Sequence, residues 1–253
     1  MPTPSVTACG APPERMRQLE TCTLAAAMLL CVSTCDAVIP PRHAAPAART
    51  EAVRVHADFA GSHPPHDVRQ IAEWATYHGD AAGLPFAVLD KVRARVHVFD
   101  RDGRLQASSP VLLGLAPGDD SVPGIGERPI AKILPHERTT PAGRFVAEPG
   151  RNSHGEDIVW IDYDVAISMH RVRPTNPKER RLERLATPTD ADNRISYGCV
   201  NVPVAFYDRY IAPVFGRERG IVYVLPETRT LREAFANYPA SQVAIHRTAT
   251  RQR

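Results

Sequence analysis

The chain has 253 residues, 43% of them hydrophobic, with 24 prolines and a formal charge of +3. That apolar content fills a real core and excludes a disordered chain, while so mild a charge, with no dense basic stripe among aromatics, excludes a dedicated nucleic-acid binder. Proline at nearly twice the usual level of roughly 5% favours a loop-rich β architecture over a helix bundle.

Residues 1–37 read as an export signal. "MRQLETCTLAAAMLLCVSTCDA" begins at Met16, a possible true start, and carries one net positive charge ahead of an apolar run from Leu24 to Val32. The run is too short to span a bilayer and suits an export h-region. Cleavage near Ala37 is favoured over lipidation at Cys35, because Thr34 is a poor residue just before a lipidated cysteine. The protein is therefore expected in the periplasm or cell envelope. Residues 38–85 hold a Pro- and Ala-rich tether and a short helix. In that helix Asp67 is the expected cap, Val68, Ile71, Ala72 and Ala75 fall at helical spacing, and Gly79 and Gly83 end it.

From Phe86 the period changes to 2. Val92, Ala94, Val96 and Val98 are expected on one face of a strand, with Arg93, Arg95, His97 and Phe99 on the other. Asp102-Gly103 signals a hairpin into "LQASSPVLLG". A Gly- and Pro-dense loop follows, and then "TTPAGRFVAE" restarts a strand. "DIVWIDYDVAISMHRV" supplies two more on either side of Asp162 to Asp164, with Ala166, Ser168 and His170 pointing one way and Ile167 and Met169 the other. The polar, basic stretch 171–194 holds one helical turn. "PVAFYDRYIAPVF" fits a helix with Val204, Tyr207, Ile211 and Val214 inward and Pro203 in its first turn. "GIVYVLP" is a last buried strand, and residues 227–253 carry a short helix and a basic tail.

Four cysteines, Cys9, Cys22, Cys31 and Cys35, fall in the first 36 residues, and Cys199 stands alone in "RISYGCVNVP". A solitary thiol kept in an oxidising compartment leans towards chemistry, although a free cysteine is most often a small buried hydrophobe. The pattern places Cys199 in a turn just before a helix, whose unpaired N–H groups favour a thiolate. A base is needed within reach, and His170 at a strand end is the best candidate. His63 and His66 match no zinc-ligand spacing, and no metal or cofactor is expected. Asp162 and Asp164 shape a hairpin. Trp160 and Tyr163 line either a donor groove or the core.

"TTPAGRF", "ISMHRV" and "ISYGCVNVP" together resemble the L,D-transpeptidase (YkuD-like) family over roughly residues 86–226. The resemblance implies a mostly β, sandwich-like catalytic domain with a few helices, working as a monomer. It implies attack by Cys199 on a peptidoglycan stem peptide at the bond after its third residue, loss of terminal D-alanine, and a thioester. An amine of another stem, or of a wall-anchored protein, then resolves the thioester. By the same resemblance His170 is the base and the Arg171 carbonyl orients its ring. The N–H groups of Tyr197, Gly198 and Cys199 form the oxyanion hole, and Ser196 and Asn201 support the loop. Two features depart from the family pattern: Tyr197 replaces the usual histidine, and His170 and Cys199 lie 29 positions apart (199 − 170), a longer interval than usual. The insert is a solvated basic face or a lid whose Arg180, Arg181 and Arg184 take stem carboxylates. The alternatives are hydrolysis of the same acyl-enzyme by an L,D-carboxypeptidase or amidase, and a non-catalytic wall-binding module.

Overall fold

The computed structural model describes residues 55–238. The expected export signal, most of the tether and the basic tail beyond 238 lie outside the described residues. The fold is mostly β with a few short helices, as the sequence leads one to expect. In chain order come α1 (His66–Thr76), β1 (Phe86–Asp90), β2 (Arg95–Phe99), β3 (Leu105–Pro110), β4 (Leu113–Gly114), β5 (Gly143–Arg151), β6 (Asp157–Asp162) and β7 (Ile167–Arg171). After them follow α2 (Arg181–Ala186), β8 (Arg194–Ser196), β9 (Val200–Val202), α3 (Val204–Phe206), α4 (Ala212–Phe215), β10 (Gly220–Val224) and α5 (Leu231–Ala234). A π turn over Tyr207–Ile211 joins α3 to α4. Pro213 has no N–H to return to Arg209, and the helical ladder widens just ahead of it.

Eight strands form one sheet in the order β3-β2-β1-β10-β5-β6-β7-β9, and β4 pairs with β8. Leu112, which continues β3, exchanges two 2.9 Å backbone hydrogen bonds with Asn201 of β9. The two ends of the sheet are thus drawn together. Alternation along the strands then fills two cores. Ala87, Leu89, Val222, Val224, Met169 and Val200 face inward with Tyr207, Ile211 and Phe215 of the 204–215 helix. Phe86, Val88, Ile221 and Tyr223 face the other way, onto α1 and Phe235.

Several local expectations need correction. Pro65 precedes α1 with no side-chain cap, so Asp67 lies inside the first turn. Phe86–Asp90 is a strand of its own, and residues 91–94 are a turn in which Ala94 has φ +44°. Val92 is therefore 57% exposed and Arg93 lies off the strand, while His97 and Phe99, on the face they share with Arg95, are buried. In the late helix Pro203 is the N-cap residue and Val204 is exposed; Val214 packs partly buried against the core, and the fully buried Phe215 joins the stripe.

His97 carries a testable consequence. Its Nδ1 meets Ser108 Oγ at 2.7 Å, while Nε2 is buried with no hydrogen-bond partner. Burial pulls its pKa from 6.5 to about 4, so the folded protein binds this proton less well than the unfolded chain. The stability it contributes is complete above pH 6.5 and drains away as pH falls towards 4, about 3 kcal/mol in all. Urea titrations at pH 7 and pH 4 should show His97→Gln losing about that much less than wild type. Equal losses would show that the imidazole does not titrate as described.

Candidate active site

The site lies on the outer face of the sheet's β7–β9 end. In this parallel pair Met169 faces Val200, and His170 faces Asn201. Because Ile167, Met169, Val200 and Val202 point into the core, the intervening Ser168, His170, Cys199 and Asn201 share the opposite face. Cys199 Sγ lies 3.6 Å from Ser168 Oγ and 3.7 Å from the Ala166 carbonyl oxygen. The residue is 8% exposed.

One expectation about the thiol fails. Cys199 does not sit at a helix N-terminus: β9 intervenes, and the first helical residue is Val204. Three residues of "VNV" suffice for a strand because both valines have a core to enter. Stabilisation of a thiolate has to come from groups beside it on the sheet.

His170 is half-buried, and its Nδ1 lies 2.8 Å from the Arg171 carbonyl oxygen. A carbonyl only accepts, so Nδ1 carries the hydrogen and Nε2 presents its lone pair. Burial lowers the imidazole's pKa, partly offset by that hydrogen bond, and the cationic Arg181 and Arg173 push it further down. The ring is neutral at pH 7 and able to accept a proton. The Arg171 side chain is turned away, clasped by Asp157 and Asp208 with its guanidinium 4.3 Å from the Tyr207 ring centre.

The turn carrying Cys199 is held from within. Ser196 Oγ donates to Cys199 O at 2.7 Å and accepts from Gly198 N–H at 3.1 Å. Gly198 N–H is thus engaged inside the turn, which removes it from the expected oxyanion donors. Asn201 Nδ2 donates to Cys199 O at 3.1 Å. Gly198 has φ +128°, and a Cβ there would come within 2.6 Å of Thr139 O and 2.5 Å of Ile167 Cδ1. Its carbonyl accepts from Thr140 Oγ1 at 2.8 Å. Thr140 belongs to the "TTPAGRF" stretch, and in turn its carbonyl accepts from the buried Lys91 Nζ at 2.9 Å.

Tyr197 lies half-buried beneath Arg138, whose guanidinium is 3.8 Å from the ring centre. Of the three insert arginines, Arg181 comes nearest the chemistry, donating to Asn201 Oδ1 at 2.5 Å and pairing with Glu179. Arg184 is committed to the carbonyls of Glu179 and Asp192, and Arg180 is 69% exposed and paired with Glu183. Two of the three therefore staple the insert. Trp160 shares the outer face with Ser168, its partner across β6–β7, but is 2% exposed and fills the space above Gly150. Only Tyr163, stacked on it at 4.9 Å and half-buried, keeps exposed surface. Asp162 Oδ1 accepts from Asp164 N–H, so this pair shapes the hairpin. Among the described residues no group of His, Cys, Asp or Glu is gathered to hold a metal, and no helix is long and apolar enough to cross a membrane. Sequence reasoning missed Ser168 as a neighbour of the thiol, and also Thr140, Lys91 and Arg138. Only Thr140 had a signal, its place in the T-P-A-G turn.

No protein-family model and no curated protein matches this chain. Among solved structures it is similar to an L,D-transpeptidase from Xylanimonas cellulosilytica, at 15% identity over 56% of this chain and 60% of that one, with a TM-score of 0.34. It is similar to L,D-transpeptidase 1 of Mycobacterium tuberculosis at 17% identity, over 56% of this chain and 61% of that one, with a TM-score of 0.31. The helical cell shape determining protein Pgp2 of Campylobacter jejuni matches at 12% identity, over 58% of this chain and 49% of that one, with a TM-score of 0.36. The chain thus spans less than two thirds of each.

Proposed function

We propose that this protein is an exported L,D-transpeptidase that acts on peptidoglycan stem peptides through a Cys199 thioester. The observation that supports it most is the shared face of β7 and β9, which carries a cysteine and a histidine whose Nδ1 hydrogen is already committed to a carbonyl. His170 Nε2 takes the Cys199 proton, and the sulfur bonds to the carbonyl carbon of the stem's third residue. The backbone N–H groups of Tyr197 and Cys199 receive the oxyanion. The imidazolium returns its proton to the departing D-alanine amine as the C–N bond breaks, leaving a thioester. An acceptor amine then attacks that thioester, losing its proton to His170, and the thiol is restored. Residues 1–37 supply the export signal in this reading, and the chemistry takes place in the periplasm.

Incubation with a tetrapeptide stem, followed by intact mass, tests the proposal. Wild type should gain the tripeptide acyl group and release D-alanine, Cys199→Ala should gain nothing, and His170→Gln should acylate about 10²- to 10⁴-fold more slowly. Release of D-alanine by Cys199→Ala, or no acylation of wild type, would overturn it.

A further inference from the structure

The strand register raises a question about the thiol. Cys199 lies beside Ser168, one step before the His170–Asn201 pair, so a hydroxyl of β7 lies against the sulfur. Ser168 is fully buried between Trp160 on β6 and Cys199. The thiol hydrogen has its own acceptor at 3.7 Å, the Ala166 carbonyl. Once that hydrogen leaves, the carbonyl oxygen faces an anion and opposes it. Since no helix terminus reaches Cys199, something else has to favour the ionised sulfur.

We infer that Ser168 is a catalytic residue whose O–H donates to the Cys199 sulfur as it ionises, and so sets the pH at which the nucleophile forms. The inference deepens the proposed reaction and rests on Cys199 being its nucleophile. A hydroxyl donor gains strength when its acceptor becomes charged, so it favours thiolate over thiol. Other groups bearing on this titration include His170 on β7 and the charges that act on its ring, Arg181, Arg173 and Glu156. Ser168→Ala leaves all of them in place and removes one oxygen from a strand whose core-facing residues are unchanged.

The test is alkylation of the full chain by iodoacetamide across pH, read at the peptide that contains Cys199 so that the four N-terminal cysteines do not contribute. In Ser168→Ala the midpoint should rise by about one pH unit, with reaction about tenfold slower below both midpoints and the same plateau above them. Ser168→Thr, which restores the hydroxyl, should return the midpoint towards wild type. A purely structural role would alter the melting temperature and leave the midpoint unmoved. Coincident midpoints for wild type and Ser168→Ala overturn the inference. Alkylation does not depend on the stem substrate. A protein with the expected midpoints that ignores tetrapeptide would therefore refute the proposed function and leave Ser168's role standing.

Discussion

Gly198→Ala should slow acyl-enzyme formation by about 100-fold while the sheet remains folded. At φ +128° a side chain is strained whatever space it has, and here there is none: the new methyl would meet backbone at Thr139 O, which cannot rotate aside. Strain and overpacking together should cost on the order of 3 kcal/mol. The chain relieves them by moving the 197–199 turn, and a displacement near 1 Å is enough to cost about 100-fold in rate. Gly155→Ala is the control. It also has positive φ, but nothing lies within 4 Å of its added Cβ, so it should lose about 1 kcal/mol and no activity. Thermal melts and tetrapeptide acylation measure both effects, and wild-type acylation by Gly198→Ala would mean that the turn is not the rigid support described.

The parts of this architecture that were legible in the sequence are those written in local periodicity. Alternation in "DIVWID" and "ISMHR" gave two strands on either side of Asp162 to Asp164, and the unbroken apolar run in "GIVYV" gave a strand buried on both faces. Asp102-Gly103 marked a hairpin whose glycine has φ +77°. What stayed hidden depends on partners distant in sequence. The burial of Phe99 on the face it shares with Arg95 depends on α1, some twenty residues earlier, which covers it. Nothing within residues 194–203 says that Thr140 supports Gly198 from 58 positions away. The insert arginines read as a charged face, yet Arg184 reaches back to main-chain carbonyls and Arg181 to Asn201. Composition shows a charge and never its partner.

Lys91 is the extreme case, a lysine in a turn beside the exposed Val92 and Arg93 that the fold nonetheless buries completely. Its ammonium donates to Asp119 Oδ1 at 2.7 Å, to Thr140 O at 2.9 Å and to Gly118 O at 2.5 Å, and both side chains of the ion pair are wholly inaccessible. Burial alone would raise the Asp119 carboxyl, but Lys91, the Thr228 hydroxyl and the Glu227 and Thr228 N–H groups outweigh it and hold it well below the usual carboxylate range. Removing the cation therefore leaves a charge that has lost its main counter-ion. Lys91→Met should destabilise the protein by about 3–5 kcal/mol, a fall in melting temperature on the order of 10 °C. Lys91→Met with Asp119→Asn should recover part of that loss, because it removes the buried charge, although the amide keeps only one of the two oxygens that accept from the Glu227 and Thr228 N–H groups. Neither variant restores the bond to Thr140 O, and Thr140 holds Gly198. The double variant should therefore remain slower than wild type to acylate Cys199 even where part of its stability has returned. If the double variant were as unstable as Lys91→Met alone, the loss would come from missing hydrogen bonds or packing instead of an unpaired carboxylate. If it acylated at the wild-type rate, the path from Lys91 through Thr140 to the nucleophile would carry no positioning role.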